Sequence, residues 1–356
     1  MISRFPENPI MRPSDVKPSR NDMVVECLLN PGAFRYKGRT GLLLRVAERP
    51  KQEKGWVSTP LLDPDSEGGI RILRVRKNDK DLKFTDPRVF EYKGRSYLTT
   101  LSHLRLAWSD DGIHFKAEDK PTLMGYGSHE SFGIEDCRVE KIDGSYYLTF
   151  TAVSEFGVGV GMISTKDWKN FVRHGIIFPP HNKDCALFPQ KAKGEYYAFH
   201  RPSGVGIGGN YIWMSRSKDL KYWGDHRCVA TVRPGMWDCE RIGAGAAPVR
   251  TKDGWLSIYH GANKKSRYCL GALLFDLENP YKMLARSVEP LMEPDADYEK
   301  TGFFGNVVFT NGQVVDGDIL TVYYGASDEV ICGASASLAG ILASLQTSLY
   351  ENENNP

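Results

Sequence analysis

The sequence predicts an all-β fold of repeated four-stranded sheets arranged as a β-propeller, and three observations lead there. A phrase made of a strand, a glycine turn and an aromatic-rich strand recurs six times along the chain. Its turn glycines, Gly38, Gly94, Gly144, Gly194, Gly254 and Gly317, lie 56, 50, 50, 60 and 63 residues apart. That spacing suits one blade per repeat, because a small sheet cannot bury both faces alone and must stack on its neighbours. Apolar residues also alternate with period two in runs such as Tyr146 to Phe150, while helical periodicity is nearly absent.

The elements follow in order. Residues 1–25 are polar and proline-rich and read as an extended arm with no apolar core of signal-peptide length. The phrase then appears as NPGAFRYKGRTGLLLRV from Asn30, DPRVFEYKGRSYLTT from Asp86, DCRVEKIDGSYYLTFTA from Asp136 and CALFPQKAKGEYYAFHR from Cys185. Weaker copies are AAPVRTKDGWLSIYHGA from Ala246 and NVVFTNGQVVDGDILTVYYGA from Asn306. A second phrase, DDGIHF, KDWKNF and KDLKYW, places Asp111, Asp167 and Asp219 at nearly the same period, with a looser fourth at Asp276. It predicts a tight turn between outer strands. The segment 335–350, SASLAGILASLQTSLY, is expected to form a short terminal helix. The whole chain, 1–356, is expected to be one domain; a β-sandwich with accidental internal similarity is the alternative.

Composition narrows the function. The 46 basic residues nearly match the 44 acidic ones, so no overall field favours nucleic acid or an anionic membrane. Seven scattered cysteines without a CxxC pair suggest neither a disulfide framework nor a zinc site, and no metal is expected. No window approaches the ~20 apolar residues of a membrane span, and a reducing cytoplasm fits best. The glycine runs at 157–161 and 204–209 lack a following GK[ST] and a strand-to-helix setting, so they read as strand or loop glycines rather than a nucleotide site. Trp108, Trp168 and Trp223 recur with the repeat and read as blade packing rather than sugar platforms.

In a propeller the innermost strands converge, so equivalent positions of successive repeats become neighbours. Those positions carry Asn30, Arg45, Asp86, Arg88, Glu135, Asp136, Arg138, Lys183, Asp184, Arg201, Arg241, His260 and Asp328. Asp86 and Arg88 fit a structural turn-then-strand opening. Asp136 follows Glu135 at the start of a strand, where neighbouring side chains point to opposite faces, so one acid should face the channel. Lys183, Arg201, Arg241 and His260 sit at the edges of the next inner strands and bring four potential cations toward it. Unpaired like charges repel in a pocket, and an anion such as phosphate resolves that conflict.

At these residues the chain resembles glycoside hydrolase family 130, the β-mannoside phosphorylases and related hydrolases. The likeness runs from about Asn8 to Ala334 through NPI, LLLRVAE, DPRV, GIEDCR, ALFP followed by HRP, RIGAGAAP, YHGA and NVVF. It implies a five-bladed propeller, one of the six phrases being shared between first and last blades as a closure. It further implies that Asp136, in the IED motif, is the catalytic acid of an inverting phosphorolysis giving α-D-mannose 1-phosphate. Delivery of its proton through the mannose 3-hydroxyl is part of the same implication. Lys183, Arg201, Arg241 and His260 fall on phosphate-binding positions, which the family's hydrolases lose. Asn30, Arg45 and Asp328 fall on the mannosyl subsite, and Arg88 is counted with the sugar contacts. IEDCR departs from the commoner IEDPR, which puts the turn in doubt but not the acid.

The implied partners are a manno-oligosaccharide and inorganic phosphate, the latter a co-substrate, with no other cofactor. The arm suggests a homo-oligomer, and the arm together with LLRVAERPKQEKGW suggests the β-1,2-mannobiose and oligomannan branch, with β-1,2- and β-1,4-manno-oligosaccharides both open as substrates. Two alternatives stand beside this reading: a β-mannoside hydrolase on the same fold, marked by release of free mannose without phosphate, and a non-catalytic glycan-binding propeller, marked by binding without turnover.

Overall fold

A computed structural model describes residues 2–86, 89–204 and 207–347, and these form an all-β structure. Five antiparallel sheets follow one another along the chain, each with its first strand at one edge. The first contains Met23–Tyr36, Arg39–Pro50, Leu101–Ser109 and Lys116–Ala117, and the second Ile134–Ile142, Ser145–Ser154, Gly157–Thr165 and Phe171–Phe178. Asn182–Leu187, Tyr196–Pro202, Ile212–Ser217 and Gly224–Ala230 make the third. The fourth is built on Arg241–Ala244, Trp255–Ala262, Tyr268–Phe275 and Met283–Arg286, and the fifth on Val308–Asp316, Ile319–Ala326 and Val330–Ser337.

The repeat explains these elements locally. Lys37–Gly38, Asp143–Gly144 and Lys193–Gly194 all have positive φ, as required by the two-residue hairpins whose twist matches that of the strands they join. Between the third and fourth strands, the Asp111 carboxylate accepts the backbone N–H of Ile113 and His114. Asp167, Asp219 and Asp276 repeat the arrangement with Lys169 and Asn170, Lys221 and Tyr222, and Glu278 and Asn279. The second recurring phrase is therefore this turn, as its spacing predicts.

Five apolar cores fill the spaces between successive sheets. Phe34, Leu104, Leu148 and Trp168 lie between first and second, with Phe34 and Trp168 stacked at 3.7 Å. Val160, Phe178, Leu187 and Ala198 lie between second and third, and Phe188, Phe199, Tyr259 and Phe275 between third and fourth. Leu256, Leu270, Val322 and Cys332 fill the space between fourth and fifth, and Leu42, Leu44, Val314 and Tyr323 that between fifth and first. The innermost strands run so close that a Cβ on Gly32 of the first sheet would lie 2.8 Å from the Cys137 carbonyl of the second. Trp168 and its partners are packing residues, as expected.

Three expectations change. The phrase at Asp86 belongs to no main sheet: Leu82–Asp86, Val89–Tyr92 and Arg95–Leu98 form a small separate sheet. With the hairpin of Trp56–Leu62 and Ile70–Arg76, it is an insertion between the second and third strands of the first sheet. No phrase is shared between the first and fifth sheets; the fifth takes its fourth strand from the arm, where Ser3–Arg4 pairs with Val330–Ser337. Arg4 reaches the buried Glu299 at 2.8 Å, and Met11 and Val16 are buried between fifth and first sheets. The helix is shorter than predicted, covering Leu338–Ser344, because Ser335–Ser337 finish a strand; Gln346–Thr347 then pairs with the fourth sheet. The rest of 335–350 lies outside the described residues. Among the described residues no disulfide joins the seven cysteines, and no helix is long and apolar enough to cross a membrane.

Candidate active site

The innermost strands of the first three sheets break register at the same height, between Leu29 and Gly32, Glu135 and Arg138, and Lys183 and Ala186. At each break stands an Asn or Asp with positive φ: Asn30 at 36°, Asp136 at 50° and Asp184 at 53°. These residue types tolerate left-handed backbone better than most, and a bulge re-aims the side chains around it. Strict alternation predicted that only one of Glu135 and Asp136 would face the channel. Because the bulge interrupts alternation, both line the same cavity.

That cavity has a volume of ≈ 600 Å³ and opens beside the innermost strands. Asp136 lies in its wall, only 3% exposed. One carboxylate oxygen accepts from Asn30 Nδ2 at 3.0 Å and from Arg45 at 3.0 Å, and the other is 3.8 Å from Lys183 Nζ. Arg45 extends its second arm to Glu135 at 2.7 Å and its Nε to Ser102 at 3.1 Å. Burial pushes the Asp136 carboxyl up, but Arg45, Lys183, Arg138 and the Asn30 amide outweigh burial and hold it down at about 2. Cys137, at the position where the sequence departs from IEDPR, is buried in the apolar core behind the acid, and the bulge forms with it in place.

Beyond Asp136 the cavity wall carries Lys183, Arg201 and Arg241. Asp184 is fully buried beneath them, 2.8 Å from Arg201, 3.2 Å from Arg138 and 3.3 Å from His260. Burial pushes its carboxyl up, and the charges of Arg201, Arg138 and His260 more than reverse this, so it stays ionised well below the usual carboxylate range. Asp184 therefore neutralises part of the cationic cluster that the sequence suggested. Gly243 makes room for this contact, since a Cβ there would land on the Asp184 carboxylate and on the His260 ring.

His260 differs from expectation. It is fully buried, does not line the cavity, and lies behind Arg201 at 3.2 Å with its ring 4.1 Å from that of Phe309. Burial lowers it most, Asp184 opposes this, and Arg201 and Arg138 add to the lowering, leaving it at about 4. It is thus a neutral imidazole at pH 7, so the cavity holds fewer cations than were counted. Arg241 keeps a long contact of 3.4 Å to the Tyr268 hydroxyl, and its buried Nε has no hydrogen-bond partner in the structure.

Of the positions expected to hold sugar, Asn30, Arg45 and Asp328 line the cavity, Asp328 with a φ of 52°. Arg88 lies outside the described residues. Tyr268, Phe303, Phe304 and Phe309 also line it, and sequence reasoning missed them. Tyr268 opens the third strand of the fourth sheet, which no repeat phrase covers, and Phe303 and Phe304 lie in the loop before the fifth. Aromatic character in a connection could have marked Phe303 and Phe304, and Phe309 stands in the NVVF motif that opens the last phrase. Among the described residues no cluster of His, Cys, Asp or Glu could hold a metal ion.

Comparison with known proteins shows what the chain is similar to. A family model described as beta-1,4-mannooligosaccharide phosphorylase, of glycoside hydrolase family 130, matches residues 74–347. A beta-1,2-mannobiose phosphorylase of Listeria innocua serovar 6a is 43% identical over 349 residues, 97% of this chain and 98% of that protein. A 1,2-beta-oligomannan phosphorylase of a Thermoanaerobacter species is 40% identical over 236 residues, 65% of this chain and 77% of that one. A solved beta-1,2-mannobiose phosphorylase from Listeria innocua, in complex with beta-1,2-mannobiose, superposes with a TM-score of 0.91 over 96% of this chain and 98% of that chain, at 43% identity. With its fold matched end to end and its sequence matched through the strands that build the cavity, the chain belongs to glycoside hydrolase family 130.

Proposed function

We propose that this chain splits β-mannosides with inorganic phosphate, inverting the anomeric carbon to release α-D-mannose 1-phosphate and a shortened sugar. The five sheets act as the blades of a single-domain, five-bladed β-propeller, and the reaction runs in its central pocket. One observation carries the reading: a single cavity is lined by a hydrogen-bonded acid, Asp136, and by Lys183, Arg201 and Arg241 from the next two sheets. Asn30, Arg45 and Asp328, together with Arg88, grip the mannosyl unit. His260 serves the phosphate site through Arg201.

Phosphate is an anion at neutral pH and needs no general base; it has only to be held in line with the bond that breaks. A phosphate oxygen bonds to the anomeric carbon while the glycosidic C–O bond breaks, and Asp136 supplies the leaving oxygen's proton through the mannose 3-hydroxyl. The acid must be protonated, although the cations around it oppose protonation. Arriving phosphate offsets those charges, so its binding raises the proton affinity of Asp136. An inverting hydrolase places a second carboxylate across the sugar ring to activate water. Glu135 shares the Arg45 guanidinium with Asp136 and so lies on the same side as the acid.

The relatives named for β-1,2-linked substrates favour β-1,2-mannobiose or oligomannan here, and a reducing cytoplasm suits seven cysteines without a disulfide. The arm that suggested a homo-oligomer packs on its own chain. Reverse synthesis tests the linkage: α-mannose 1-phosphate offered with a panel of acceptors should yield a β-1,2-mannoside on mannose. A β-1,4 product would overturn that specificity.

A further inference from the structure

Arg45 bonds two carboxylates of the cavity wall, Glu135 at 2.7 Å and Asp136 at 3.0 Å. The bulge makes this possible, because a regular strand would have sent Glu135 to the other face. Glu135 is mostly buried, with 15% of its side chain exposed, and Ser102 is its other polar neighbour at 3.5 Å. An acid that needs its proton is poorly served by a guanidinium aimed at it. A second carboxylate on the same guanidinium removes part of that disadvantage, since Arg45 divides its hydrogen bonds and its charge between the two. We propose that Glu135 is a positioning residue for the reaction proposed above: it holds one arm of Arg45 off Asp136, so that Asp136 takes up the proton it must deliver.

The other charged groups around Asp136 do not supply this balance. Lys183 and Arg138 both favour the ionised acid. Asp184 is committed to Arg138, Arg201 and His260. Among the carboxylates that act on the Arg45 charge, Asp328 ranks after Glu135 and Asp136.

The test compares the wild type, E135Q and E135D in phosphorolysis of β-1,2-mannobiose as a function of pH, with circular dichroism spectra of all three. E135Q keeps the shape and an oxygen for Arg45 but removes the charge. At saturating phosphate, the activity lost as pH rises, where Asp136 of the phosphate-loaded protein gives up its proton, should then be lost about one pH unit lower, an approximately tenfold fall in kcat/KM for mannobiose on that limb. KM for mannobiose should stay within about twofold, and E135D should restore the wild-type limb. An unmoved limb with a raised KM would overturn the proposal and make Glu135 a sugar contact. An unmoved limb with equal loss of folded signal in both variants would overturn it in favour of a structural role. Wild-type turnover in the same assay reports on phosphorolysis itself: its absence would overturn the function, whereas a normal wild type with an unshifted E135Q overturns only the role of Glu135.

Discussion

Asp136 is buried among charges that favour its ionised form, and the fold accepts that arrangement because Asn30, Arg45 and Lys183 satisfy both of its oxygens. Asp136→Asn preserves shape and most of these contacts but has no proton to give. Turnover in both directions should fall by at least about a hundredfold, the ordinary share of a general acid, with an unchanged circular dichroism spectrum; activity within a few-fold of wild type would remove Asp136 from the role. At this scale the sequence was legible where chemistry repeats in a column: Asn30, Asp136 and Lys183 are neighbours, as the repeat predicts. It was less legible for Asp184 and His260, which occupy the same columns but turn to each other beneath the surface. His260 could be counted as a cation only while its burial was unknown. Its depressed value also has a pH consequence. A histidine held neutral in the fold stabilises it fully above about 6.5, and that contribution is lost as pH falls toward about 4.

The bulged inner strand is the element that makes the site, and Gly243 shows how little room it leaves. A Cβ at this position collides with the Asp184 carboxylate and the His260 ring, which together steady Arg201. Gly243→Ala should therefore displace Arg201, cost about 1–3 kcal/mol of stability from overpacking, and raise KM for phosphate by about tenfold. KM for the mannoside should change less, and phosphate titrations of initial rates would show an unaltered phosphate KM if Arg201 has no part in holding it. The hairpins and the Asp-capped turns were readable because their signals are local: a positive-φ glycine, or an aspartate that accepts backbone N–H groups two and three residues on. The bulges were not, since a register break depends on which strand lies alongside. For the same reason the phrase at Asp86 could not be told from a blade opening, although its strands of four or five residues build only a small inserted sheet.

Across the described residues, five of the apolar cores alternate with the five main sheets, and the N-terminal arm completes the last of these sheets. Glu299 shows what the arm protects: its carboxylate is fully buried, bonded to Arg4 and to the Tyr324 hydroxyl. Removing residues 1–12 deletes the strand, the guanidinium and the buried Met11 together, and leaves a buried charge without its partner. The loss should be on the order of 3 kcal/mol or more, seen as a lower Tm; an unchanged Tm would mean that the arm closes nothing. The repeat announced recurring sheets but counted six phrases for five main sheets, and the strand that completes the fifth sheet lay in a segment whose composition marks it only as polar and extended. The proposed reaction requires phosphate as the nucleophile in the cavity. ³¹P NMR of the protein with β-1,2-mannobiose and inorganic phosphate tests that requirement most directly. An α-mannose 1-phosphate signal should grow in step with phosphate consumed and mannose released. Cleavage that proceeds equally well without phosphate, leaving only free mannose, would contradict it.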